Sequence, residues 1–195
     1  MGAELNSRTQ SLSELLDRRC GGHLKAALYI RELQENLGVE LVSEDLRALE
    51  ATALVATGYP IEEVSNRVAW QDFERLASFV FRAWGYKVVH SLYLHSPKAQ
   101  LDVVASSSSV VLSVDCKHYA RTHSPSQLRN FAKAQRKRST LLRTAGGEKK
   151  PVYSVVLTML DSEDRFCEGV AIVPILRLGS FLNSIEVYLP LMSAS

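Results

Sequence analysis

Cysteine is scarce in this chain, and its placement excludes two classes at once. The three cysteines, Cys20, Cys116 and Cys167, are odd in number, widely spaced and outside any C-x-x-C pair, so neither a disulfide framework nor a zinc ribbon is indicated. Cys20 with His23 makes half of a zinc set, and no second pair appears. No apolar run approaches the roughly 20 residues that span a bilayer, and the N-terminus lacks the apolar stretch of a signal peptide. The expectation is a cytoplasmic protein. His90, His95, His118 and His123 form no ordered pair that would activate a nucleophile. An excess of one charge is also missing, with 23 Lys and Arg against 21 Asp and Glu over 195 residues. That length leaves room for one core plus an appendage.

The distribution of charge says more than its sum. Residues 117–150 hold ten Lys and Arg against one acidic residue, whereas residues 1–116 and 151–195 are each net acidic. A basic block of this kind is where a polyanion would be gripped, with a solvated helix face as the plain alternative. It follows two apolar, strand-like runs, QLDVVA and VVLSVDCKHY, that carry three charges: Asp102, Asp115 and Lys117. Strand interiors disfavour Asp, and an ion held away from water is costly unless it is paired, so these side chains need each other, a metal ion or phosphate. Alternation puts Asp115 and Lys117 on one face of their strand. A hairpin loop made of the serines at 106–109 would pair Ala105 with Val110 and Asp102 with Ser113, leaving Asp102 on the face of Asp115.

Two helices flank these runs. Ser124-Pro125-Ser126-Gln127 reads as a capped start, and a helix follows to about Arg143 before Gly146-Gly147. Leu128, Phe131, Ala132, Ser139 and Leu142 form its inward stripe, with Gln135 in the middle; Arg129, Lys133, Arg136, Lys137 and Arg143 share an adjoining face. A buried amide needs partners, which makes Gln135 a candidate for orienting the site. In the earlier helix, Trp70, Phe73, Ala77, Val80, Phe81 and Trp84 recur at helical spacing, with Glu74 within or beside the stripe.

The elements expected after residue 66 are a helix (69–84), strands (86–94, 100–105, 110–118), the basic helix (125–143), strands (152–159, 169–173) and a tail helix within 177–185. That order predicts an α/β domain over 67–195 with a mixed five-stranded sheet flanked by helices. Residues 1–66 predict an all-helical N-terminal region, with helices at about 11–19, 23–37, 43–57 and 60–67. It is richer in acidic than basic residues, which favours packing or dimerisation over reading DNA.

Glu74 in FERLASFVFRAWGY, Asp102 in QLDVVA, and Asp115 with Lys117 in VDCKHY, in that order, resemble the PD-(D/E)xK phosphodiesterase superfamily. This is the restriction-endonuclease-like fold, and the similarity is to Mrr-type catalytic domains and related archaeal-looking nucleases. It covers about residues 68–175, and the chain departs from the family at Leu101, where the pattern has proline. The resemblance implies a Mg²⁺- or Mn²⁺-dependent endonuclease acting on nucleic acid, most readily DNA. Asp102, Asp115 and the Cys116 carbonyl would hold the cation, and Glu74 would bind a second cation or order its water. Lys117 would orient the attacking water or stabilise negative charge, and Gln135 would support the site. His118, Arg121, Arg129, Lys133, Arg136 and Lys137 are the expected nucleic-acid contacts, and a homodimer is the expected way to cut both strands. The alternative is a non-catalytic, nucleic-acid-binding member or partner subunit of the same fold.

Overall fold

The computed structural model describes residues 69–118, 123–160 and 165–195. The helices expected over residues 11–67 lie outside them. The chain divides into two compact units, Met1–Leu76 and Ala77–Ser195, and the boundary falls inside helix α1, Trp70–Ala83. Asp72 tightens the first turn of α1 by accepting the Ala69 N–H at 3.3 Å. The helix stops at Gly85, whose φ of 81° suits a residue without a Cβ. There the Tyr86 N–H reaches the Phe81 carbonyl and the Gly85 N–H that of Arg82, and the rings of Phe81 and Tyr86 meet edge-on at 5.8 Å. This is a Schellman end with its apolar contact.

The second unit is built on a mixed sheet of six strands. In chain order they are β1 (Lys87–His95), β2 (Lys98–Ser106), β3 (Val111–Lys117), β4 (Val152–Thr158), β5 (Phe166–Cys167) and β6 (Val170–Pro174), arranged β1-β2-β3-β4-β6-β5. β1 to β3 form an antiparallel meander, and β3, β4 and β6 run parallel. The mixed sheet is as expected, but its strand count is six rather than five. The extra strand, β5, has two residues and therefore no periodicity to read. It exists because Glu168 and Gly169, both at positive φ, make a two-residue turn back onto β6.

The β2–β3 hairpin differs from the expected register by two residues: Ala105 pairs with Leu112, and Ser106 with Val111. Ser106 belongs to the strand, and the loop is 107–110. Ser107 closes that loop, its N–H donating to the Val110 carbonyl at 2.9 Å and its Oγ accepting the Val110 N–H at 3.1 Å. A shift of two preserves the faces, so Asp102 stays on the side of Asp115.

Helix α2 (Pro125–Thr144) starts with the predicted capping box between Ser124 and Gln127 and connects β3 to the parallel strand β4. Its buried residues are Leu128, Ala132, Gln135, Ser139 and Leu142. Leu142 joins Val104, Val111 and Val152 in one apolar cluster, while Leu128 and Ala132 join Val156, Val170 and Ile172 in another. Gln135 and Ser139 lie between them along the helix. The tail is two short helices rather than one: α3 (Leu178–Asn183) and α4 (Ile185–Tyr188), broken at Ser184, whose backbone leaves the helical region (φ −113°, ψ 22°). No described helix is long and apolar enough to cross a membrane.

Candidate active site

β2 and β3 stay paired only from Ser106↔Val111 to Val103↔Val114, although both continue. Beyond that point β2 is held by β1, and β3 by β4. Asp102 is the next residue of β2, and Asp115 the next of β3. Asp102 also lacks a ladder partner in β1, where the facing residue Ser91 takes a left-handed backbone, φ 51°. Regular pairing thus lapses on both sides of this one carboxylate.

The Asp102 side chain bridges the parted strands, its Oδ2 accepting the Cys116 N–H at 2.8 Å. In an antiparallel pair the N–H and C=O of one residue face the same neighbour, so the Cys116 carbonyl is directed toward β2 as well. Burial is the largest influence on Asp102 and raises its pKa above the ordinary carboxylate value. The Cys116 N–H opposes that shift, the negative charge of Asp115 adds to it, and Lys117 and Arg138 weaken it.

Asp115 is buried, with 3% of its surface exposed. Two cations meet it: Arg138 Nη1 donates to Oδ1 at 2.8 Å, and Lys117 Nζ to the same oxygen at 3.0 Å. The Lys117 ammonium also lies 2.8 Å from Oδ2. That contact is Coulombic rather than directed, because Oδ2 has no aligned donor among the described residues. Lys117 rests over the Phe131 ring, 5.1 Å from its centroid, a cation–π contact that fixes its stem.

The partners of Gln135 explain its place in an apolar stripe. It is fully buried and donates from Nε2 to the Ser113 carbonyl at 2.7 Å and to Ser113 Oγ at 2.9 Å. Its Oε1 accepts from Arg138 at 3.3 Å. Ser139 donates to the Gln135 carbonyl at 3.1 Å and meets Ser154 of β4 at 2.6 Å. A polar band therefore runs under α2 from Ser154 to Asp115. Arg138 is the functional candidate that sequence reasoning misses. Its signal is its position: one turn after Gln135, on the flank shared with Phe131.

Glu74 is buried at 4% exposure on the part of α1 that belongs to the N-terminal unit. The basic residues divide. Arg138 faces Asp115, whereas Lys133 pairs with Glu168 at 3.4 Å and Arg136 donates to the Glu168 carbonyl at 3.3 Å. Arg136 and Arg138 point about 200° apart at 3.6 residues per turn, so those two cations serve the far flank. Arg129 and Lys137 are exposed, His118 follows β3 and is half-buried, and Arg121 lies outside the described residues. A cavity of about 500 Å³ beside β5, β6 and α3 contains none of these residues.

Among the described residues no three His, Cys, Asp or Glu side chains converge as a metal cluster. The donor set at the parted strands is instead two carboxylates and a carbonyl. Asp115 Oδ2 is buried and lacks a directed donor, and an oxygen-only set of this kind fits a hard divalent cation.

Comparison with known families falls on the same segment. Residues 65–151 match the family described as Restriction endonuclease, the Mrr-type catalytic domain. An uncharacterized protein from Archaeoglobus fulgidus is 32% identical over 123 residues, which is 62% of this chain and 94% of that relative. The crystal structure of protein VC1899 from Vibrio cholerae aligns with a TM-score of 0.40 and 13% identity, over 95% of this chain and 57% of the other. The chain belongs to the Mrr-type restriction endonuclease family, within the PD-(D/E)xK superfamily. Its second unit is a nuclease-like α/β domain.

Proposed function

We propose that this protein is a Mg²⁺- or Mn²⁺-dependent endonuclease that hydrolyses phosphodiester bonds in DNA. The observation that carries the reading is the pair Asp102 and Asp115, adjacent across strands that have just parted, with Lys117 two residues beyond Asp115 on the same face. Asp102, Asp115 and the Cys116 carbonyl would hold the cation, and Glu74 would serve a second cation or its water. A divalent ion supplies polarisation of the phosphoryl oxygen and a more acidic water. Lys117 orients that water or stabilises the charge that grows on the phosphate. Gln135 keeps β3 at a fixed height against α2 through Ser113. His118, Arg121, Arg129, Lys133, Arg136 and Lys137 are assigned to the nucleic-acid backbone, within a cytoplasmic homodimer whose two sites cut two strands.

The test is incubation of wild-type protein and Lys117→Ala with labelled duplex, supercoiled, branched and single-stranded DNA and RNA, in EDTA, Mg²⁺ or Mn²⁺. Cleavage that requires metal and drops about 10²-fold or more in the variant is expected. A variant that cuts as well as wild type would sink the assignment.

A further inference from the structure

The two cations on Asp115 are not equivalent. Lys117 is on the same strand, its side chain is 19% exposed and its ammonium lies over Phe131. Arg138 reaches in from α2, its side chain is 32% exposed, and its second contact, to Gln135 Oε1, is a longer one at 3.3 Å. Asp115 Oδ2, which no aligned donor among the described residues holds, can take a cation first, and a cation that also engages Oδ1 must displace Arg138 or Lys117 from that oxygen. Arg138 is the partner that is more open to solvent and carried on another element.

Charge leads to the same residue. Asp102 and Asp115 are balanced by Lys117 and Arg138, so the quartet is neutral before any ion enters. A divalent cation makes it doubly positive, which matches the double negative charge of a phosphodiester under attack by hydroxide. That match requires both side-chain cations to remain at the site after Asp115 turns to the metal. A guanidinium released from a carboxylate presents the same forked donors to two phosphate oxygens.

Resting on the nuclease reading above, we infer that Arg138 is a catalytic residue: it holds Asp115 in the metal-free protein and transfers its guanidinium to the non-bridging oxygens of the scissile phosphate when Asp115 binds metal. No covalent bond to Arg138 forms or breaks. One ion pair, Arg138–Asp115, is exchanged for another, Arg138–phosphate. Gln135 is the positioning residue that keeps the side chain within reach of both.

The role makes two readouts move in different directions. In full-length Arg138→Ala, calorimetric titration with Mn²⁺ alone is expected to give an affinity equal to or tighter than wild type, because a competitor for Asp115 is gone. Single-turnover cleavage at saturating Mn²⁺ is expected to fall about 10²-fold or more, since one donor to the transition state is lost. Arg138→Lys, which keeps charge but not the fork, is expected to recover only part of the rate, and it decides the question if the alanine variant melts before assay. Mn²⁺ affinity and cleavage that fall together would overturn the inference and make Arg138 a mere brace for Asp115. Unchanged cleavage would overturn it as well. Wild-type protein that binds Mn²⁺ but cuts no nucleic acid would overturn both readings, and that failure is visible before any variant is made.

Discussion

Asp102 is a carboxylate whose ionisation is made costly by its burial in the folded chain. Its pKa is raised, chiefly by burial, so the folded state binds its proton more tightly than the unfolded state does. The stability that follows is fully present below the ordinary carboxylate pKa and is lost as pH rises through the folded value. Asp102→Asn removes that loss and keeps an oxygen able to accept the Cys116 N–H. In metal-free buffer near neutral pH, Asp102→Asn is expected to melt above wild type, with the difference shrinking toward about pH 4, while cleavage disappears. A variant that melts below wild type at neutral pH would show that attraction to Lys117 and Arg138 outweighs desolvation. Asp102, Asp115 and Lys117 are legible from sequence because charge inside an apolar strand is an anomaly that alternation can place on a face. Arg138 is harder to single out, since it is one of ten basic residues in 117–150 and only its place one turn after Gln135, on the flank of Phe131, sets it apart.

At the scale of elements, what is local is legible and what depends on a distant partner is not. The start of α2 follows from Ser124 and Gln127 alone, and the end of α1 from Gly85 and the apolar pair Phe81 and Tyr86. The β2–β3 register is a property of the loop, where Ser107 turns its side chain onto Val110, and four consecutive serines do not announce which one closes the turn. β5 is a consequence of the Glu168–Gly169 turn, and that turn supplies a paired prediction. Glu168 sits at φ 51° and Gly169 at φ 75°. Glu168→Asn places a residue that tolerates the left-handed region where Glu does not, and is expected to raise stability by up to ~1 kcal/mol, because its exposed ion pair with Lys133 is worth little. Gly169→Ala is expected to act in the opposite sense, since a Cβ there would overlap Ser193. Urea unfolding of both variants checks the signs; equal shifts would mean that β5 contributes nothing to the sheet edge.

For the whole molecule, the near-neutral total of +2 conceals a basic block between two acidic ones, and association with a polyanion should report that block. Binding of duplex DNA by a cleavage-deficient variant is expected to weaken steeply with salt. Removing Lys137 should reduce the slope of log affinity against log salt by about 1. Lys133→Ala should reduce it less, because Lys133 is already paired with Glu168. Equal slopes for wild type and Lys137→Ala would place the DNA elsewhere on the molecule. The α/β class and most strands of the nuclease domain are readable from apolar runs and their breaks. The identity of the substrate depends on surface shape, which periodicity does not encode.

The parting of β2 from β3 has a mechanical side. Each wall of the gap is fastened to a different neighbouring strand, β1 on one side and β4 on the other, and the hydrogen bond from Cys116 to Asp102 crosses it near the mouth. Neighbouring strands in a sheet are rotated by roughly 20–25°. Where the ladder no longer locks two of them together, that rotation converts directly into spacing between their side chains. The spacing of the two carboxylates therefore depends on the torsion of two backbones as well as on the choice of rotamer.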